Sequence, residues 1–113
     1  MKGRLVVTGG QATEWTEQRV ADFLDEMALE HGMTGGNGMI EVSPVIFGLL
    51  QAGYLMGPGK NGWTIRNMPV VIWKNAPMGY LAAHINEDVY QTSLNVKGMI
   101  RDNENERDQE SVQ

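Results

Sequence analysis

Cysteine is missing from this sequence, which excludes disulfides, thiolate metal sites and thiol nucleophiles. Histidine is almost missing as well. His31 and His84 are the only two, and without thiol partners they are too few for a nitrogen–sulfur metal site. No apolar run reaches the ~18 residues a membrane-spanning helix needs. The stretch Leu5-Val6-Val7 behind Lys2 and Arg4 is too short for the apolar region of a signal peptide. The protein is therefore expected to be neither secreted nor membrane-spanning. Basic charge is scarce: Lys+Arg number 9 against 14 Asp+Glu, a net charge of -5. An acidic chain without a basic cluster is a poor partner for nucleic acid.

What is present points to one domain. Of the 113 residues, 42% are hydrophobic, enough for a core. The acids are unevenly spread. Residues 101–113 hold Asp102, Glu104, Glu106, Asp108 and Glu110 against Arg101 and Arg107. That composition predicts an acidic disordered tail after a globular domain over 1–100. Residues 14–30 hold Glu14, Glu17, Asp22, Asp25, Glu26 and Glu30 against Arg19, while Lys60, Arg66 and Lys74 outnumber Glu41 in the middle of the chain. Two electrical faces follow.

The β-branched run Arg4–Thr8 reads as a strand closed by Gly9-Gly10. Thr13 is a candidate N-cap for a helix running to about His31, with Glu14 and Glu17 in its first turn. Val20, Phe23, Leu24, Met27 and Ala28 recur at the spacing of one buried stripe, and Gly32 suits the C-cap. Met39–Val42 reads as a strand. Ser43 then caps a helix with Pro44 at its first position, and its apolar run Val45, Ile46, Leu49, Leu50 predicts burial. Residues 57–62 read as a glycine loop. Trp63–Ile65 and Val70–Trp73 read as strand pieces broken at Pro69, which cannot donate to a central ladder. A turn at 75–79 leads to a strand over Tyr80–Ile85 and one more between Val89 and Ile100. The sum is an α+β or small α/β domain: a long amphipathic helix and a short buried one on a small mixed sheet.

Chemistry is hard to find along this chain. Ser43, Ser93 and Ser111 sit in no nucleophile-elbow pattern. The acid pairs Asp22/Glu26 and Glu26/Glu30 are spaced i, i+4 on the solvent side of the first helix, and a surface helix does not supply the cleft that acid catalysis needs. Thr8-Gly9-Gly10 before a helix suits a phosphate turn. However, no G-x-G-x-x-G follows, and Lys60 lacks the Ser or Thr of a Walker loop. No cofactor or metal is expected.

Two family resemblances are carried by short motifs. Ile40-Glu41-Val42-Ser43-Pro44, Gly53-Tyr54-Leu55-Met56-Gly57, Met68-Pro69-Val70-Val71 and Asn75-Ala76-Pro77-Met78-Gly79 follow the helix in order. Over roughly residues 14–85 this resembles the peripheral domain of tailed-phage major capsid proteins. That family is far longer and carries an arm, a loop and an axial domain beyond this chain's length. The resemblance implies a reduced relative: a virion structural component of the virion or host cytoplasm. Its partners would be other copies of itself, as a homo-oligomer, or other virion proteins. A second set, Leu5 to Gly10, Gly35-Gly36 and Lys60 through Asn67, resembles SLOG-type Rossmann-like proteins. Gly38-Met39-Ile40-Glu41 stands where that family has Gly-Ala-Asp. This alternative implies nucleotide or other ligand binding by Gly9, Gly10, Gly35, Gly36, Lys60 and Arg66.

The stretch 62–74 separates the two. Trp63, Ile65 and Trp73 share one parity, so an unbroken strand would place them on one face, with Arg66 and Lys74 on the other. Tryptophan and arginine are frequent interface anchors. The expected interface is Trp63, Ile65, Arg66, Trp73 and Lys74, with both tryptophans in the core as the competing reading.

Overall fold

The computed structural model describes residues 5–7 and 13–96. Gly9, Gly10 and the acidic stretch 101–113 lie outside the described residues, as does the expectation of a disordered tail.

Helix α1 spans Glu17–His31. Its stripe of Val20, Phe23, Leu24 and Met27 is buried as the spacing requires, whereas Ala28 is exposed. Gly32 closes it in the left-handed conformation at φ 68, where a Cβ would be strained. The N-cap is Thr16 and not Thr13: the Thr16 side chain accepts from the Arg19 amide at 3.0 Å. Tertiary pairing explains the shift. Thr13 and Glu14 form a short strand beside Leu94 and Asn95, and the Trp15 amide still donates to the Asn95 carbonyl at 3.0 Å. The chain therefore stays extended up to Thr16, a long-range effect that local cap propensity does not contain.

The strands are β1 (Leu5–Val7), β2 (Thr13–Glu14), β3 (Gly38–Val42), β4 (Gly57–Gly59), β5 (Gly62–Ile65), β6 (Met68–Ile72), β7 (Tyr80–Ile85) and β8 (Asp88–Asn95), with helix α2 at Pro44–Gln51. They form one mixed sheet in the order β1-β8-β7-β3-β6-β5-β4, with β2 also beside β8. β1 and β2 run parallel to β8, and β3 runs parallel to β6; the remaining pairs are antiparallel. Two helices on a mixed sheet make this an α+β domain.

Ser43 caps α2, accepting from the Ile46 amide at 3.1 Å, and Pro44 opens the helix. The apolar α2 run is less buried than its composition predicts. Ile46 and Leu50 are fully buried, but Val45, Phe47 and Leu49 are only partly covered. A helix packed on one face of a sheet buries one stripe and leaves the rest half-wet.

The break in the tryptophan stretch lies elsewhere than at Pro69. Arg66 and Asn67 form a two-residue turn between Ile65 and Met68, with φ 53 and φ 67. Positive φ at both central positions suits the right-handed twist of a hairpin. Pro69 lies inside β6, opposite Thr64. The ladder to β3 begins only at Val70, beside Ile40, so the missing N–H costs that ladder nothing. The glycine stretch 57–62 is likewise a hairpin: Gly59 pairs with Gly62, and β4 lies along β5.

Alternation splits the sheet into two faces. Ile40, Val42, Val70, Leu81, Ala83, Ile85, Tyr90 and Leu94 join the buried stripe of α1 and Ile46 and Leu50 of α2 in one core. The registers place Met39, Glu41, Val71, Ala82, His84, Val89 and Gln91 on the other side. Both helices therefore pack on one face. Among the described residues no helix covers the second face.

Candidate functional site

The second face ends in the β6–β7 connection. Sequence order alone dictates a tight turn there, with Asn75, Pro77 and Gly79 between two strands. Three large apolar side chains are left in solvent: Ile72 is 44% exposed, Trp73 43% and Met78 43%. Lys74 beside them is exposed too.

This connection is pinned on both sides. The Trp73 amide donates to the Val42 carbonyl at 2.9 Å, the Tyr80 amide to the Pro77 carbonyl at 3.0 Å, and the Ser43 amide to the Tyr80 carbonyl at 3.2 Å. The fully buried Ser43 hydroxyl donates to the Met78 carbonyl while accepting from Ile46. It is thus a structural clasp, committed on both sides and unsuited to act as a nucleophile.

Trp73 stands edge-on to the Tyr80 ring, with centroids 4.9 Å apart and planes at 78°. Behind it, the Tyr80 hydroxyl donates to Glu41 Oε1 at 2.9 Å, and His84 Nε2 meets the same oxygen at 2.9 Å. Burial pushes the Tyr80 phenol well above its ordinary value, helped by the hydrogen bond to Glu41 and by its charge. The phenol thus stays a donor, and the ring that supports Trp73 stays fixed.

The folded protein keeps this proton where the unfolded chain loses it. The contribution of Tyr80 to stability is therefore complete below the ordinary tyrosine value of about 10 and is lost as pH rises beyond it. Denaturant titrations at about pH 8 and about pH 11 should show this alkaline loss, and Tyr80→Phe should make it smaller. Equal losses in both proteins would contradict the assignment.

The residues singled out from the sequence scatter. Trp63 is half-buried and meets Phe47 edge-on at 6.2 Å. Ile65 is 1% exposed and belongs to the core, so it is not available to a partner. Arg66 pairs with Asp25 of α1 at 2.8 Å. Trp63 and Trp73 do not share one strand, because the Arg66–Asn67 turn puts them on neighbouring elements. Trp73 and Lys74 are both exposed and adjacent in the β6–β7 connection. Met78, in the same connection, is exposed too and lies outside the expected interface; Ile72 is also exposed, but its pairing with Val42 places it on the helix side of the sheet.

Among the described residues, the glycines of the ligand-binding reading do not gather around the side chain of Lys60 or Arg66. Gly35 and Gly36 sit in the turn closed by Thr34 and Asn37, where the Thr34 amide donates to Asn37 Oδ1 at 2.7 Å. A Cβ at Gly35 would lie 3.1 Å from Asn67 Cβ, so close packing on the hairpin explains this glycine. Lys60 is at the tip of the β4–β5 hairpin, beside an open groove of about 400 Å³ shared with Pro58, Trp63, Asn67 and Pro69. The guanidinium of Arg66 is committed to Asp25.

The Glu41–His84–Tyr80 cluster was invisible in the sequence. Its members come from two strands and meet only through the β3–β7 register. Among the described residues no group of three or more His, Cys, Asp or Glu side chains could hold a metal ion, and no helix is long and apolar enough to cross a membrane. No protein-family model matches the chain, and neither a curated protein nor a solved structure does.

Proposed function

We propose that this chain is a non-enzymatic assembly protein, a capsid-related component of a bacteriophage virion, acting through protein–protein contact at the Trp73 surface. One observation carries the reading: Trp73 and Met78 are both exposed on a connection whose backbone is fixed. Exposed apolar groups normally cost solubility, and apolar groups held on a rigid frame are what a partner can bury without an ordering penalty. Tryptophan is the most frequent anchor of such contacts. The partners are further copies of this chain or other virion proteins, in the virion or the host cytoplasm.

Light scattering across a concentration series, at low and high salt, tests this. The wild type should form species larger than one chain. Trp73→Ala should weaken their formation at least tenfold while leaving the circular dichroism unchanged, since truncating an anchor costs about 2 kcal/mol. Assembly by Trp73→Ala that equals the wild type would remove the surface from the proposal.

A further inference from the structure

The Trp73 surface needs a counterpart, and the far side of the molecule carries one. Leu29 of α1 is 86% exposed. Helical spacing puts it beside Glu26 and Asp25, with Asp22 one turn further and Glu30 next in the chain; all four acids are exposed. Asp25 is paired with Arg66 and Asp22 accepts from Gln18. Glu26 has no partner among the described residues. The outward side of α1 is thus an apolar knob inside a ring of acids. The β6–β7 connection is the complement: it exposes Trp73 and Met78 and carries Lys74, with no acid between residues 73 and 79.

The two surfaces lie on opposite layers of the fold. The buried stripe of α1 packs on the core face of the sheet, which turns Leu29 outward on that side. Trp73 packs on Tyr80, whose hydroxyl reaches Glu41 on the opposite face. One molecule cannot bring its own two surfaces together. Two molecules meeting Trp73 to Trp73 would set Lys74 against Lys74, a like-charge contact that costs affinity.

Building on the assembly reading above, we infer that the Trp73 surface of one copy seats on the Leu29 surface of α1 in the next. Such a head-to-tail contact leaves one surface free at each end. It therefore propagates into a ring or a filament and does not stop at a dimer. Lys74 facing the α1 acids makes the contact weaken with salt.

Complementation tests the direction of the contact. Leu29→Lys spoils one surface and Trp73→Glu the other, and both sites are exposed. Each variant alone should have the mass of one chain. An equimolar mixture should give a species of twice that mass and nothing larger, because both outer surfaces of the pair are spoiled. Met78→Glu repeats the second arm if Trp73→Glu loses its native circular dichroism. If the wild type assembles but the mixture stays at the mass of one chain, the head-to-tail contact is wrong while the assembly reading stands. If Leu29→Lys assembles like the wild type, α1 is not the counterpart. A wild type of one-chain mass at every concentration would overturn this contact and self-assembly together.

Discussion

Gly79→Ala is expected to be among the most damaging single substitutions in this protein. A Cβ at Gly79 would lie 1.9 Å from the Leu94 carbonyl oxygen and 2.9 Å from its carbon. Carbon and oxygen approach no closer than about 3.3 Å even in favourable contacts, so the backbone must move by more than about 1 Å. The atoms in the way are main chain, and no side chain can rotate to make room. The movement would break the bond from the Leu94 amide to the Gly79 carbonyl, now 2.8 Å. It would also strain the Ser43 clasp on Met78 and the seat of Trp73 on Tyr80. The loss should be roughly 4 kcal/mol. Thermal unfolding should then begin on the order of 15 °C lower than in the wild type. A shift of only a few degrees would mean that β7 and β8 slide past each other more easily than their register implies.

The second large effect is a contrast within one helix. Leu24 is fully buried in the core, whereas Leu29 is exposed. Leu24→Ala should cost about 3 kcal/mol, from lost transfer energy and the cavity left behind. Leu29→Ala, the same chemical change five positions later, should stay within about 0.5 kcal/mol for the isolated chain. Urea unfolding of the two variants at low protein concentration measures both. Equal costs would contradict the assigned faces of α1. The pair also isolates association, because Leu29→Ala should weaken assembly without touching the stability of the single chain.

The elements visible in the sequence are those specified locally. The α1 stripe needs only the spacing of Val20, Phe23, Leu24 and Met27, and Gly32 and Ser43-Pro44 mark ends by their own conformational preferences. The misplaced features depend on distant partners. Thr13 has the chemistry of a cap, but its pairing beside Leu94 wins. Pro69 looks like a break until the β3 ladder is seen to start one residue later. The turn at Arg66-Asn67 has one residue type that favours positive φ; an Asn-Gly pair would have announced the hairpin. At the candidate surface, Trp73 and Lys74 were legible from residue type. The fate of Ile65 was not, because parity along a strand says which residues share a face but not which face is covered.

Glu17 shows the same limit. Its carboxylate accepts from the Tyr54 and Leu55 amides at 2.8 Å and 2.7 Å. A side chain read as a favourable charge in the first turn of α1 thus also holds the segment after α2.

The placement of β1 has a consequence for how the protein is made. Its Leu5 lies beside Val89 and its Val7 beside Gln91, so β1 must wait for β8, the last of the described strands, to be made. Until β8 emerges, neither β1 nor β2 has a ladder, and the outer edge of β7 stands unpaired. Hairpins such as β5–β6 close within microseconds, but a parallel pair of this separation is slow to find. During synthesis the nascent chain therefore exposes a growing sheet edge to its neighbours on the same messenger. Under the assembly proposed above, that interval is when the wrong kind of meeting is easiest.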